Sequence, residues 1–144
     1  MTVYTERDQP GFAELVNDVH AEFGFSVDPE LAADLDNPTA YYRHLWMVRL
    51  EDGAVVGSVA LTPPEHRVTT LKRMYLRPEH RGRGLGRQLL TLAIATSRRD
   101  GCRLIVLDTS DRQTDAIRLY EAAGFRLHHT SGITRYYTLD ITEP

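Results

Sequence analysis

One stretch of this chain constrains its fold more than any other: a strand, a proline stop, alternating glycines and a long amphipathic helix, all within residues 68–99. Val68 to Leu76 reads as the strand, and Pro78 ends it. Arg81-Gly82-Arg83-Gly84-Leu85-Gly86 then places a glycine at every second position. Leu85 to Arg99 follows as a helix, apolar at Leu85, Leu89, Leu92, Ala93 and Thr96, with Gly101 as its end signal. Glycines at this spacing remove side chains where the backbone must approach something closely. Successive N–H groups at the helix start, at its positive dipole end, can cradle a phosphate or pyrophosphate. Arg81, Arg83 and Arg87 add charge-assisted donors at the same place. For the hexapeptide alone, a tight turn with solvated arginines is the plainer alternative.

Charge is distributed to match. Residues 1–66 carry 12 acidic side chains against 3 basic ones, whereas residues 67–87 carry 7 basic side chains against Glu79 alone. A net charge of −3 with one short basic island suits capture of a compact, multiply charged anion. Nucleic-acid binding, which needs a broad basic face, is not expected. Two familiar phosphate loops fail the comparison. The dinucleotide pattern started at Gly82 meets Arg87 where its last glycine belongs, and the P-loop needs Gly-Lys-Ser/Thr although the only lysine is Lys72.

The rest of the chain supplies an α/β framework. Val3-Tyr4-Thr5 reads as a short strand, and Phe12, Leu15, Val16, Val19 and Phe23 recur at helical spacing up to Gly24. Asp28-Pro29 opens a second short helix through Leu31 and Leu35, stopped by Asn37-Pro38. Leu45 to Leu50 and Ala54 to Leu61 form a hairpin around Asp52-Gly53. Leu104 to Leu107 is a short apolar strand suited to a sheet centre. A helix around Ala116 to Ala123 ends at Gly124, and Phe125 to His128 with Ile133 to Ile141 closes the chain as two strands. The order β-α-α-β-β-β-α-β-α-β-β predicts one domain over residues 1–144 with a sheet of mixed direction. A charged start without a signal-peptide core and a longest near-continuous apolar stretch of Leu89 to Ala95 predict a cytoplasmic protein without a membrane span. Cys102 is the sole cysteine and no Cys/His cluster has zinc spacing, so neither an internal disulfide nor a metal is expected.

Two motifs in this order resemble a known family. Arg81-x-x-Gly84-x-Gly86, after a strand ending Met74-Tyr75-Leu76-Arg77-Pro78, resembles the acyl-CoA-binding motif of GNAT-superfamily N-acetyltransferases. Ala116-Ile117-Arg118-Leu119-Tyr120-Glu121-Ala122-Ala123-Gly124-Phe125 is similar to the downstream signature A-I-x-L-Y-x-x-x-G-F of that family. The resemblance covers roughly Leu45 to Ile141. It implies a mostly antiparallel sheet flanked by helices, with a V-shaped strand opening. It implies acetyl-CoA as cosubstrate without a metal, and direct attack by an amine: a small amine, an amino acid or a protein N-terminus. Homodimers are frequent among such domains. Backbone amides from Arg83 through Arg87, including Leu85 and Gly86, would bind the CoA pyrophosphate beside Arg81 and Gly82. Backbone groups of Met74 and Leu76 would pair with the pantetheine arm. The strand carrying Arg103 to Asp108 would diverge from its neighbour to make room for the acyl group.

Tyr120 matches the residue that often protonates the departing thiolate; a core aromatic is its alternative reading. Gln113 stands where many relatives carry Asn, as a CoA contact or a helix cap. An amine of pKa about 10.4 is neutral in only about 1 molecule in 2,500 at pH 7, a gap of roughly 4.6 kcal/mol that a base in place would offset. Some relatives place a Glu for this at the position of Thr70, which has no useful pKa. Glu22, Glu65, His66 and His80 are the remaining candidates, with a water chain as another route, while His128 and His129 read as strand-end polar residues. Lys72 shares strand parity with Thr70, Met74 and Leu76, so Lys72 or neighbouring Arg73 would face the acceptor and favour a carboxylate-bearing substrate, or be a solvated cation. Tyr41, Tyr42, Phe23, Phe25 and Trp46 are candidate pocket aromatics, with core or surface packing as the plainer role of each. Cys102 has no partner His nearby and is not expected to be a nucleophile. A catalytically silent acyl-CoA-binding module is the rival reading.

Overall fold

Seven strands and three α-helices are interspersed along the residues described by a computed structural model, 1–25 and 32–142. In order, these are β1 (Thr2–Val3), α1 (Gln9–Glu22), β2 (His44–Arg49), β3 (Val55–Leu61), β4 (Val68–Leu76), α2 (Leu85–Arg99), β5 (Leu104–Ser110), α3 (Thr114–Ala122), β6 (Arg126–Ser131) and β7 (Thr134–Asp140). The strands make one sheet in the order β1-β2-β3-β4-β5-β7-β6. Only the β4–β5 pair is parallel.

Both faces of the sheet are covered, which is why β3 is buried along its whole length. On one face α1 buries Phe12, Leu15, Val16 and Val19 against Leu45, Met47, Val55 and Ala60. On the other, Leu89, Leu90 and Ala93 of α2 and Ile117 and Tyr120 of α3 pack on Trp46, Val59, Leu71, Ile105 and Leu107. The edge strand β6 is exposed at all six residues.

Several boundaries differ from the sequence expectation. The Asp28-Pro29 helix start lies outside the described residues, and the described chain from residue 32 forms single 3-10 turns at Ala33–Leu35 and Pro38–Ala40. Pro38 therefore opens a turn as well as ending one; its fixed φ suits a first helical position. β5 runs three residues past Leu107 because Asp108, Thr109 and Ser110 pair with Tyr136, Arg135 and Thr134 of β7. Polar residues in a strand are readable only once the partner strand is known.

The difference that matters most is a bulge in β4. Ser58 lies opposite Tyr75 but Ala60 lies opposite Lys72, so β4 holds one extra residue. Arg73 takes the strain with φ +50°, and the Ser58 hydroxyl donates to its carbonyl at 2.6 Å. The alternation flips there. Leu71 packs on the α2 face together with Met74 and Leu76, while Tyr75 packs on the α1 side. Lys72 thus does not share a face with Met74 and Leu76, contrary to the parity read from the sequence.

Candidate active site

β4 and β5 pair only over Val68–Thr70 against Leu104–Val106. Beyond Thr70, β4 continues along β3 and β5 continues along β7, so the two parallel strands part in a V. Two clefts of about 670 Å³ each open along it. Met74, Tyr75 and Gln113 line both, so the clefts meet between the diverging strands. The Arg77 N–H donates to Val56 O at 2.9 Å. Antiparallel alternation then turns the backbone groups of Met74 and Leu76 away from β3, toward the opening.

The first cleft runs from this junction to the start of α2 and is lined by Leu76, Arg81, Gly82, Gly84, Gly86 and Arg87, among others. Gly84 precedes α2 with φ +83°, and no atom lies within 4 Å of where its Cβ would be. Its backbone is bare to the cleft, beside the unsatisfied N–H groups of the first helical turn. Gly86 has another reason: a Cβ there would sit 3.1 Å from Leu119 Cδ2 and 3.5 Å from Leu76 Cδ1, so the glycine lets α2 approach α3 and β4. Arg83 and Arg87 are exposed and make no ion pair among the described residues. The donor set, bare backbone and free guanidinium fit a diphosphate-bearing acyl carrier. Arg83 does not line the cleft, and the Leu85 side chain turns inward to the core.

Arg81 is differently occupied. Its guanidinium donates to both Glu22 carboxylate oxygens at 2.5 and 2.7 Å and to Leu76 O at 3.0 Å, and it lies 5.5 Å from the Phe23 ring centroid. The side chain clamps the end of α1 to the end of β4 instead of reaching for an anion. Gln113 occupies the position before α3 but does not cap it; its Oε1 accepts from Thr109 Oγ1 at 3.0 Å.

The second cleft is walled by His20, Tyr42, Lys72, Asp108, Thr109 and Tyr120, among others. Arg73, which also lines it, makes a two-point ion pair with Asp34 at 2.8 and 2.9 Å, and the Tyr42 hydroxyl donates to the same carboxylate at 2.6 Å. Burial alone would raise the Asp34 pKa, but hydrogen bonds from Arg73 and Tyr42 outweigh it and hold the carboxyl below its ordinary value. Lys72 is half-exposed, with Nζ 3.9 Å from the half-exposed carboxylate of Asp108. Tyr120 is buried in the α2-face core, and burial pushes its phenol far up, so the hydroxyl stays protonated and able to donate.

The sequence model of the acetyltransferase (GNAT) family matches residues 12–125. The chain belongs to the GNAT family. Its relatives include the uncharacterized N-acetyltransferase YjgM of Escherichia coli K12, 29% identical over 147 residues that cover 95% of this chain and 88% of YjgM. Among solved structures, a GNAT acetyltransferase from Staphylococcus aureus Mu50 has a TM-score of 0.89 at 22% identity, over 97% of both chains. The yncA protein of Salmonella typhimurium, solved with its cofactor acetyl-CoA, has a TM-score of 0.74 at 21% identity, over 99% of this chain and 93% of its own. These structural matches show the fold.

Against this GNAT framework the candidate bases separate clearly. Glu22 lines the first cleft but is held by Arg81. Glu65, His66 and His80 line neither cleft. Phe25, Tyr41 and Tyr42 line the second cleft, Phe23 the first, and Trp46 sits in the core. His128 and His129 are exposed on β6, and Cys102 is buried, its thiol pushed up by burial. His20 and Tyr75 are the residues that sequence reasoning missed. The available signal was His20 at the third step of Phe12, Val16, His20, one polar ring on a buried helical stripe. Among the described residues no helix is long and apolar enough to cross a membrane, and no group of three metal-ligating side chains occurs.

Proposed function

We propose that this GNAT domain transfers the acetyl group of acetyl-CoA directly to the primary amine of a small acceptor that also carries an acid group. The observation that carries the reading is the junction of the two clefts at Met74, Tyr75 and Gln113. A thioester laid along the first cleft presents its carbonyl carbon there to a nucleophile arriving through the second. Backbone amides from Arg83 through Arg87 hold the pyrophosphate at the helix start, with Arg87 beside them. Outward backbone groups of Met74 and Leu76 hold the pantetheine arm like an added strand. Tyr120, kept protonated by burial, gives its proton to the thiolate as the C–S bond breaks.

Acceptor charge follows from the pair at the cleft rim. Arg73 is compensated by Asp34, so Lys72 is the cation that meets an incoming acid group. Asp108, 3.9 Å from Lys72, accepts a hydrogen bond from the neutral amine of the same molecule. The test is thiol release from acetyl-CoA across amino acids and other amines, each paired with an analogue whose acid group is neutral. Acid-bearing acceptors are expected to show up to about fivefold higher kcat/KM, the scale of a half-exposed ion pair. Equal turnover of each pair removes the acid-group assignment. CoA binding by calorimetry without thiol release for any amine favours the silent acyl-CoA-binding module instead.

A further inference from the structure

We infer that Tyr75 and His20 form the proton relay that takes the proton from the attacking amine. The inference rests on the acetyl-transfer reading and fills the place left by Thr70, where a carboxylate base is absent. Tyr75 lines both clefts and so stands where amine and thioester meet. Its hydroxyl is 2.9 Å from His20 Nε2. His20 projects from the buried stripe of α1, with Phe25 and Tyr75 edge-on to its ring.

The surroundings of the ring give it one working nitrogen. His20 Nδ1 is buried with no hydrogen-bond partner among the described residues. Nε2 faces the Tyr75 hydroxyl and, at 3.5 Å, Arg73 Nη1. Since the guanidinium can only donate, Nε2 is the acceptor and the Tyr75 O–H points toward it. In that orientation the Tyr75 oxygen accepts a hydrogen bond from the Arg73 guanidinium, and its remaining lone pair is left to receive a proton from the cleft. The groups around the ring among the described residues are Tyr75 and Arg73 of β4, Asp34 behind Arg73, and Phe25. Burial, and then the Arg73 cation, hold the His20 pKa below the ordinary imidazole value, against a smaller opposing effect of Asp34. The ring is therefore neutral and receptive at neutral pH.

The proton balance closes. As the amine nitrogen bonds to the carbonyl carbon, its surplus proton passes to Tyr75 Oη while the Tyr75 proton passes to His20 Nε2. The carbonyl re-forms, the C–S bond breaks, and the thiolate takes the proton of Tyr120. Once the products leave, the proton held at His20 restores the Tyr120 hydroxyl through Tyr75 and solvent. Tyr75 is the catalytic residue here, and His20 acts through it.

The test uses His20→Gln and Tyr75→Phe with an acceptor that the wild-type protein turns over. Gln offers Tyr75 an acceptor oxygen but cannot take a proton, which separates orientation from proton uptake. In the wild type, kcat should fall on the acid side below the ordinary imidazole range. In both variants kcat should drop about a hundredfold or more, the scale of general base catalysis, with the KM for acetyl-CoA within about twofold. The His20 limb should vanish from the kcat profile of both. Full kcat and an unchanged acid limb in folded His20→Gln overturn the relay and leave acetyl transfer standing. If His20→Gln does not fold, Tyr75→Phe, which keeps the ring packing, decides by the same two readouts. No wild-type turnover of any amine overturns both readings.

Discussion

Replacing Arg81 with alanine tests whether the first arginine of the glycine loop binds an anion or braces the groove. Its guanidinium spans Glu22, the Leu76 carbonyl and the Phe23 ring, with about a quarter of the side chain exposed. A partly exposed ion pair contributes about 0.2–1 kcal/mol and a cation over a ring about 0.5–1 kcal/mol. The charged hydrogen bond to Leu76 adds about 1.5 kcal/mol at the low end of its range, for a total of about 2.2–3.5 kcal/mol. Unfolding entropy of about 2.1 cal/mol/K per residue gives about 0.3 kcal/mol/K for a chain of this length, so the melting temperature should fall by about 7–12 °C. CoA affinity should fall by less than about tenfold, because the charge is already compensated by Glu22. Glu22→Gln should lower the melting temperature by a smaller amount and leave CoA affinity within a few-fold. Differential scanning calorimetry and titration calorimetry read the two quantities. A melting temperature unchanged in Arg81→Ala with a CoA loss above tenfold, or CoA binding tightened by Glu22→Gln, would refute the brace and return Arg81 to the phosphates.

Gly84→Val should bind CoA at least about tenfold more weakly while remaining folded at 25 °C, since its Cβ meets open cleft but forces a branched residue to φ +83° at a cost of about 1–3 kcal/mol; titration calorimetry with CoA checks it. Tyr120→Phe should lower kcat by about tenfold to a few hundredfold with little change in KM for acetyl-CoA or in melting temperature, because a thiol of pKa about 8.5 leaves only about 2 kcal/mol uphill at pH 7; steady-state kinetics with chemistry rate-limiting is the measurement. Asp34→Asn should cost about 3 kcal/mol at pH 7 by leaving Arg73 buried without its carboxylate. Asp34 has a folded pKa below its unfolded value, so its contribution is present above pH about 4 and lost as pH falls through the folded value. Melting curves of the variant and the wild type should accordingly draw together as the pH falls below about 4.

Local order was legible from the chain because it follows local rules. Alternating glycines before an amphipathic helix, Asp52-Gly53 between two apolar runs, and the Tyr120 to Phe125 signature each act within a few residues, and each led to the right element and family. Much of the first cleft comes from one continuous segment, residues 74–87, which the sequence singles out, while its walls from α1 and α3 are set by packing. Tertiary structure alone decided the acceptor side. The bulge at Arg73 exists because Ser58 and Asp34, 15 and 39 residues away, hold its carbonyl and its guanidinium, and this one residue reversed the facing of Lys72. In sequence Arg81 reads as a phosphate ligand, whereas in the fold it pairs with Glu22, 59 residues away. His20 and Tyr75 lie 55 residues apart, each ordinary in its own helix or strand, and acquire a shared chemistry only where α1 crosses β4. Propensity and spacing act along the chain, whereas charge compensation and proton transfer depend on distances of about 3 Å that only packing between elements sets.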